Sequence, residues 1–450
     1  MTVSVIRPRF YRIAALLAFI VAQIVVLAIP IKLQESGDWG FQYAARNFAE
    51  GRLTLTDEQY IEQAQEVWNE SGQLLSYAKI GDNTWALTWA PGYAFYLAPF
   101  ERIGFPQLGA SILSLALAAV LYLLLAHLRD EKTAFLGVVL LIFTPLYLAM
   151  WQRVYMDAFA ALAFCGAGGG LYLYYWLSRA CLGVLLSRMI LLAAGLLLMA
   201  SVGVRYTNIA VAAVFAVHFL VMAGRLHLCR EHFWSTGLFF VLGMALSGIG
   251  LLIYNGVVFG TPFSAGSEFA QLTIRFAWQY PLGIGYDIVR NNIVRLWVPL
   301  LIALPIILAA IPALVAATYG KFFYRQSDTW PELPEHVYHV LWGWIVAVFG
   351  LYVMYDWTSF QESATFFFPL LTRFYLPMLL PLVIISALAL RRFSAKLWGS
   401  TVVVLAVLGV ICFIQVSRVQ VYFADGAAPP SLSVPVPPAT NPAVLSGDNA

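Results

Sequence analysis

Eleven segments of this 450-residue chain stay apolar for about the length of a bilayer crossing: 11–31, 107–128, 133–150, 157–177, 183–202, 208–224, 235–257, 297–318, 337–355, 369–390 and 397–417. Roughly 20 apolar residues carry a helix through the hydrocarbon, and a helix satisfies its own backbone hydrogen bonds there. That many such runs leave one fold class, an all-α integral membrane protein of about eleven transmembrane helices. The chain is 61% hydrophobic and 11% charged, whereas a soluble domain carries about 25% charged residues. Too few charges remain to cover a water-facing surface. A net charge of +3 gives no case for a nucleic-acid partner. Cys165, Cys181, Cys229 and Cys412 lie in or beside apolar runs without metal-like spacing, and read as small apolar residues.

Arg7, Arg9 and Arg12 precede the first run, as in a signal peptide, but no small-residue cleavage site follows, so it reads as a retained helix. Basic residues stay on the cytoplasmic side. Those three put the N-terminus inside. Alternation then keeps Arg129/Lys132, Arg179/Arg188, Arg225/Arg230, Lys321/Arg325 and Arg391/Arg392/Lys396 inside as well. The expected address is the plasma (inner) membrane, with function on the outer face.

The long segments fall outside: 32–106, 258–296, 356–368 and a tail. Together with the spans they form one module, 1–423. The Pro- and Ala-rich tail, 424–450, buries too little apolar area to offset its ordering entropy and is expected to be disordered. The first loop has structure of its own. Thr56-Asp57-Glu58-Gln59 is a capping box, and Tyr60, Ala64, Val67 and Trp68 share one face of the helix it starts. Leu87 to Phe100 is apolar but broken by Pro91 and Pro99, as in a surface-hugging or partly embedded segment. No internal repeat is visible, which weighs against an inverted-repeat transporter.

A few polar residues stand where apolar ones are expected. Asp38 follows the first run and opens a stretch that closes at Gly51. A solvated loop acid is its plainer reading. Arg205 and Arg373 interrupt apolar sequence, and an Arg at mid-membrane costs at least about 2.5 kcal/mol. Arginine suits bidentate phosphate contact, with snorkelling to the headgroups as the alternative. Arg153 precedes Asp157 by four residues, the spacing of a helical ion pair. Lys79 is a weaker phosphate candidate on the loop. Trp39, Tyr43, Trp85, Trp89, Tyr93 and Tyr96 can stack on sugar or form an interfacial belt.

In order, these segments resemble a known family. Asp38 follows helix one, and Trp89-Ala90-Pro91-Gly92-Tyr93 precedes helix two. Arg153-Val154-Tyr155-Met156-Asp157 opens helix four, and Val204-Arg205-Tyr206-Thr207 closes helix five. Asn255 to Phe263 follows helix seven, and Arg373-Phe374-Tyr375-Leu376-Pro377 opens helix ten. The series is similar to the GT-C membrane glycosyltransferases, in the branch of the protein O-mannosyltransferases and aminoarabinose transferases. It covers residues 10–390. Two departures stand out. Ala90 occupies a place often basic in the aminoarabinose branch, and the folded C-terminal domain of many members has no counterpart.

The resemblance implies transfer of a sugar from a polyprenyl-phosphate carrier at the non-cytoplasmic face to a lipid, glycan or protein. It makes Asp38 the general base and maps the family's acid before helix four onto Asp157, which supports the acceptor or orients a phosphate-binding Arg. Direct attack on the anomeric carbon inverts configuration. Arg205 and Arg373 are expected to bind the carrier phosphate, with Arg153 and Lys79 in reserve and Trp89 and Tyr93 toward the sugar. No cofactor is expected; a divalent metal on Asp38 and Asp157 is the alternative. Two other classes stay open: a transporter or flippase of a lipid-linked intermediate, and a non-catalytic subunit of the same fold.

Overall fold

A computed structural model of the chain describes residues 8–28, 36–71, 75–225, 230–270, 298–323, 333–355 and 372–391, with a few more between 400 and 411. The tail 424–450, most of the loop 258–296 and most of the expected span 397–417 lie outside the described residues.

Among the described residues, eight helices are long and apolar enough to cross a membrane, or nine counting one bent pair. The chain is a multi-pass membrane protein. Helix α1 (Pro8–Ala28) lies at the periphery. Helices α2 (Ser36–Ala49) and α3 (Asp57–Ser71), strands β1 (Tyr77–Gly81) and β2 (Thr84–Leu87), and helix α4 (Gly92–Arg102) build the first loop. Membrane helices follow: α5 (Pro106–Leu128), α6 (Glu131–Ile142), α7 (Pro145–Gln152), α8 (Asp157–Ser178), α9 (Val184–Val204), α10 (Ile209–Arg225) and α11 (Arg230–Phe259). The short α12 (Gly266–Phe269), α13 (Val298–Ala303), α14 (Ile307–Phe323), α15 (Glu335–Val353) and α16 (Leu379–Leu390) complete the described fold.

Three expectations are corrected. The run 133–150 is two helices, α6 and α7, bent by 61° where Phe143 and Thr144 precede Pro145. Proline lacks the N–H that would continue the helix, and its ring clashes with the preceding turn. The run 297–318 is likewise interrupted around Pro305, between α13 and α14. Finally, the fold is not wholly helical: β1 and β2 pair antiparallel around Asp82-Asn83, with Tyr77 opposite Leu87. Two turn-forming residues between short alternating segments favour a hairpin over a helix.

The capping box forms as its residues dictate. Gln59 N–H donates to Thr56 Oγ1 at 3.3 Å, and Thr56 N–H donates to Gln59 Oε1 at 3.1 Å. Packing centres on α8, which α5 and α9 flank, while α11 runs against α9. Small residues allow that approach. A Cβ at Gly195 would strike the Phe240 carbonyl, and one at Gly243 would strike that of Leu192, so α9 and α11 touch backbone to backbone. The first loop sits on this bundle through α4. A Cβ on Gly92 would come within 2.6 Å of the Gly203 backbone at the end of α9. The start of α4 is therefore locked beside Arg205.

Candidate active site

Asp38 lies in the first turn of α2 and is 3% exposed. It pairs with Arg153, which is also buried. Arg153 sits in the non-helical linker 153–156 between α7 and α8, with φ −82° and ψ 80°. The helical register that would bring it to Asp157 therefore does not exist, and the expected i,i+4 pair is replaced. Asp157 begins α8 and turns instead to Arg205. The contact is bidentate: Arg205 Nε donates to Oδ2 at 2.8 Å and Nη2 to Oδ1 at 2.6 Å. Arg205 caps α9 in extended conformation, its N–H still donating to the Ser201 carbonyl at 2.9 Å.

The two acid–arginine pairs belong to one site. The Tyr93 hydroxyl on α4 donates to the Val154 carbonyl in the linker between them. Burial, and then the neighbouring Tyr96, Asp157, Tyr155 and Asp38, raise its phenol well above the ordinary value, so it stays a donor. Phe374, in the 3-10 turn Arg373–Met378 before α16, carries two cations over its ring: Arg205 at 4.7 Å and Arg373 at 5.0 Å. Tyr352 of α15 lies beside Arg205, and its hydroxyl meets that of Thr207. Helices α2, α4, α8 and α9, the start of α10 and the turn before α16 thus converge on Asp38, Arg153, Asp157, Arg205 and Arg373.

Lys79 stands elsewhere. Lys79 on β1 bonds Asp57 at 3.1 Å and lies over the Trp85 ring. The Trp85 indole N–H and Lys79 together hold the Asp57 carboxyl below its ordinary range. This ties the hairpin to α3. Trp89 is 39% exposed just before α4.

A further set was not singled out from sequence. Glu101, near the end of α4, is half-buried; it accepts from the Tyr155 hydroxyl and lies 3.8 Å from Arg46 of α2. Burial and Glu101 both push the Tyr155 phenol up, so it keeps its proton. Three successive linker residues are thus gripped by the first loop: Arg153 by Asp38, Val154 by Tyr93 and Tyr155 by Glu101. Only spatial proximity reveals this; a Glu and a Tyr 54 residues apart carry no local signal.

Asp157 gives both oxygens to Arg205, Asp38 pairs with Arg153, and no cluster of three His, Cys, Asp or Glu forms among the described residues.

No protein-family model matches the chain, and no curated sequence matches it. Solved structures do. The apo oligosaccharyltransferase of Archaeoglobus fulgidus superimposes with a TM-score of 0.57 at 11% identity, over 90% of this chain and 56% of that one. ArnT of Cupriavidus metallidurans bound to undecaprenyl phosphate gives 0.50 at 15%, over 89% and 62%. The chain has the GT-C fold. A third GT-C structure, the A. fulgidus enzyme AglB with an inhibitory peptide and a dolichol-phosphate, gives 0.52 at 11%, over 91% and 55%. This chain spans a little over half the length of these GT-C proteins.

Proposed function

We propose that this chain is an inverting membrane glycosyltransferase that moves a sugar from a polyprenyl-phosphate carrier to a lipid, glycan or protein acceptor. The observation that carries this reading is the two acid–arginine contacts, Asp38–Arg153 and Asp157–Arg205, on either side of the linker that Tyr93 bonds. Dolichol-phosphate and undecaprenyl phosphate in two structures of the same fold add support.

In this mechanism Asp38 takes the proton of the acceptor O–H or N–H as that atom bonds to the anomeric carbon. The bond from that carbon to the carrier phosphate breaks, and polyprenyl phosphate leaves with the electron pair. Attack opposite the leaving group inverts the centre. Arg205 and Arg373 bind the phosphate, and Asp157 fixes the fork of Arg205 by filling one edge of the guanidinium. Arg153 holds the Asp38 carboxylate in place. Each carboxylate already faces an arginine, so the reaction is assigned no divalent metal. EDTA should leave the rate unchanged.

The topology belonging to this reading is eleven spans within a module of residues 1–423. The N-terminus is cytoplasmic, the membrane is the plasma (inner) membrane, and the site faces away from the cytoplasm. Purified protein in vesicles, given radiolabelled undecaprenyl-phosphate sugars and cell-envelope acceptors, tests it. Label should leave the carrier and reach an acceptor with inverted anomeric configuration. Carrier that crosses the bilayer intact would indicate a flippase; binding without transfer would indicate a non-catalytic subunit.

A further inference from the structure

The helix that carries Asp38 holds two more buried polar groups that the mechanism leaves unused. Trp39 is 6% exposed and Gln42 is 9% exposed. The indole N–H of Trp39 and the amide Oε1 of Gln42 have no hydrogen-bond partner among the described residues. Residues three and four apart share a helix face. Gln42 therefore lies one turn from Asp38 and beside Trp39, and the three side chains form one stripe along α2. Buried polar atoms are nearly always bonded, and leaving one unpaired costs stability. Two on one stripe beside a buried carboxylate are the polar atoms that a ligand at Asp38 would meet first.

Their chemistry restricts that ligand. The indole only donates; the amide carbonyl only accepts. A bound phosphate offers acceptors and would leave Gln42 Oε1 unpaired. A hydroxyl both accepts and donates, so adjacent ring hydroxyls answer both groups. Asp38 is occupied with the attacking atom of the acceptor. The ring under attack must lie about 3–3.5 Å from that atom, flanking the carboxylate.

We propose that Trp39 and Gln42 form the subsite for hydroxyls of the sugar carried on polyprenyl phosphate, Trp39 donating and Gln42 accepting. This rests on the glycosyltransferase reading and goes beyond it, because it assigns recognition of the sugar, separately from the phosphate, to α2.

The test compares undecaprenyl phosphate with a panel of undecaprenyl-phosphate-linked sugars (glucose, galactose, mannose, N-acetylglucosamine, aminoarabinose), measuring binding to the full chain in nanodiscs. Wild-type protein should bind at least one sugar-bearing carrier more tightly than the bare one. Trp39→Phe and Gln42→Leu keep the packing and remove one polar atom each. Either should reduce that preference about tenfold, the size of one buried hydrogen bond, while affinity for bare undecaprenyl phosphate holds. Melting temperature supplies a second readout. Gln42→Leu should melt at or above wild type, whereas a merely structural Gln42 would melt lower. If both variants keep the full preference, or wild type shows none while still binding undecaprenyl phosphate, the subsite is overturned and the glycosyltransferase reading stands. If no carrier binds at all, both fall.

Discussion

Arg205 is the residue at which charge, burial and geometry meet. It is buried, clasped by both oxygens of Asp157, and stacked on Phe374. Breaking a buried ion pair by removing one partner costs about 3–5 kcal/mol, because the other charge is left uncompensated. Arg205→Gln would mix that loss with any loss of function, so Arg205→Lys is the sharper variant. Lysine keeps the charge but not the planar fork. We expect Arg205→Lys to fold and to bind undecaprenyl phosphate about ten- to a hundredfold more weakly, the worth of one charge-assisted contact. Arg373→Gln should weaken binding to a similar degree. Unchanged affinity in both, measured by titration in nanodiscs, would remove these two arginines from the phosphate site.

At the scale of elements, the site is held by the docking of α4 on α9 and by the grip of the first loop on the linker 153–156. Gly92 has no room for a methyl group against the Gly203 backbone. Gly92→Ala should push α4 from α9 and disturb Tyr93 and Arg205 together. A fall in melting temperature and at least a tenfold loss of transfer are expected, since misplacement of about 1 Å can cost 10²-fold in rate. Tyr155→Phe is gentler, deleting only the hydroxyl that reaches Glu101. It should lower the rate at saturating carrier and leave affinity for undecaprenyl phosphate intact, because it loosens the linker that aims Arg153. Equal losses in rate and affinity would mean that the contact supports the whole fold and not the aim of the linker.

At the scale of the whole molecule, the proposed topology puts the first loop outside and the turn after α8 inside. Glu62 of α3 and Cys181 are both exposed. In a chain with the other cysteines changed to serine, Glu62→Cys should react with an impermeant thiol reagent in intact cells. Native Cys181 should react only after lysis. Much of this architecture was legible in the sequence because its signals are local. Apolar runs set most spans to within a few residues, and Thr56 and Gln59 announced the start of α3. The breaks at Pro145 and Pro305 were hidden because the apolar pattern continues across each proline. The hairpin was hidden because strands of five and four residues carry little periodicity. Within the candidate site, Asp38, Arg153, Asp157 and Arg205 each stood out as a charge in or beside apolar sequence. Who pairs with whom did not, because Asp38 and Arg153 are 115 residues apart and meet only through the bundle. One measurement tests the proposed chemistry most directly: the single-turnover transfer rate of Asp38→Asn with a labelled carrier sugar that the wild-type protein uses. Asparagine still offers Arg153 an oxygen but cannot take a proton. The rate should fall by about 10²–10⁴-fold with carrier affinity near wild type, while the melting temperature falls because Arg153 loses its buried counter-charge. Transfer at a near wild-type rate would contradict the assignment of Asp38 as the base.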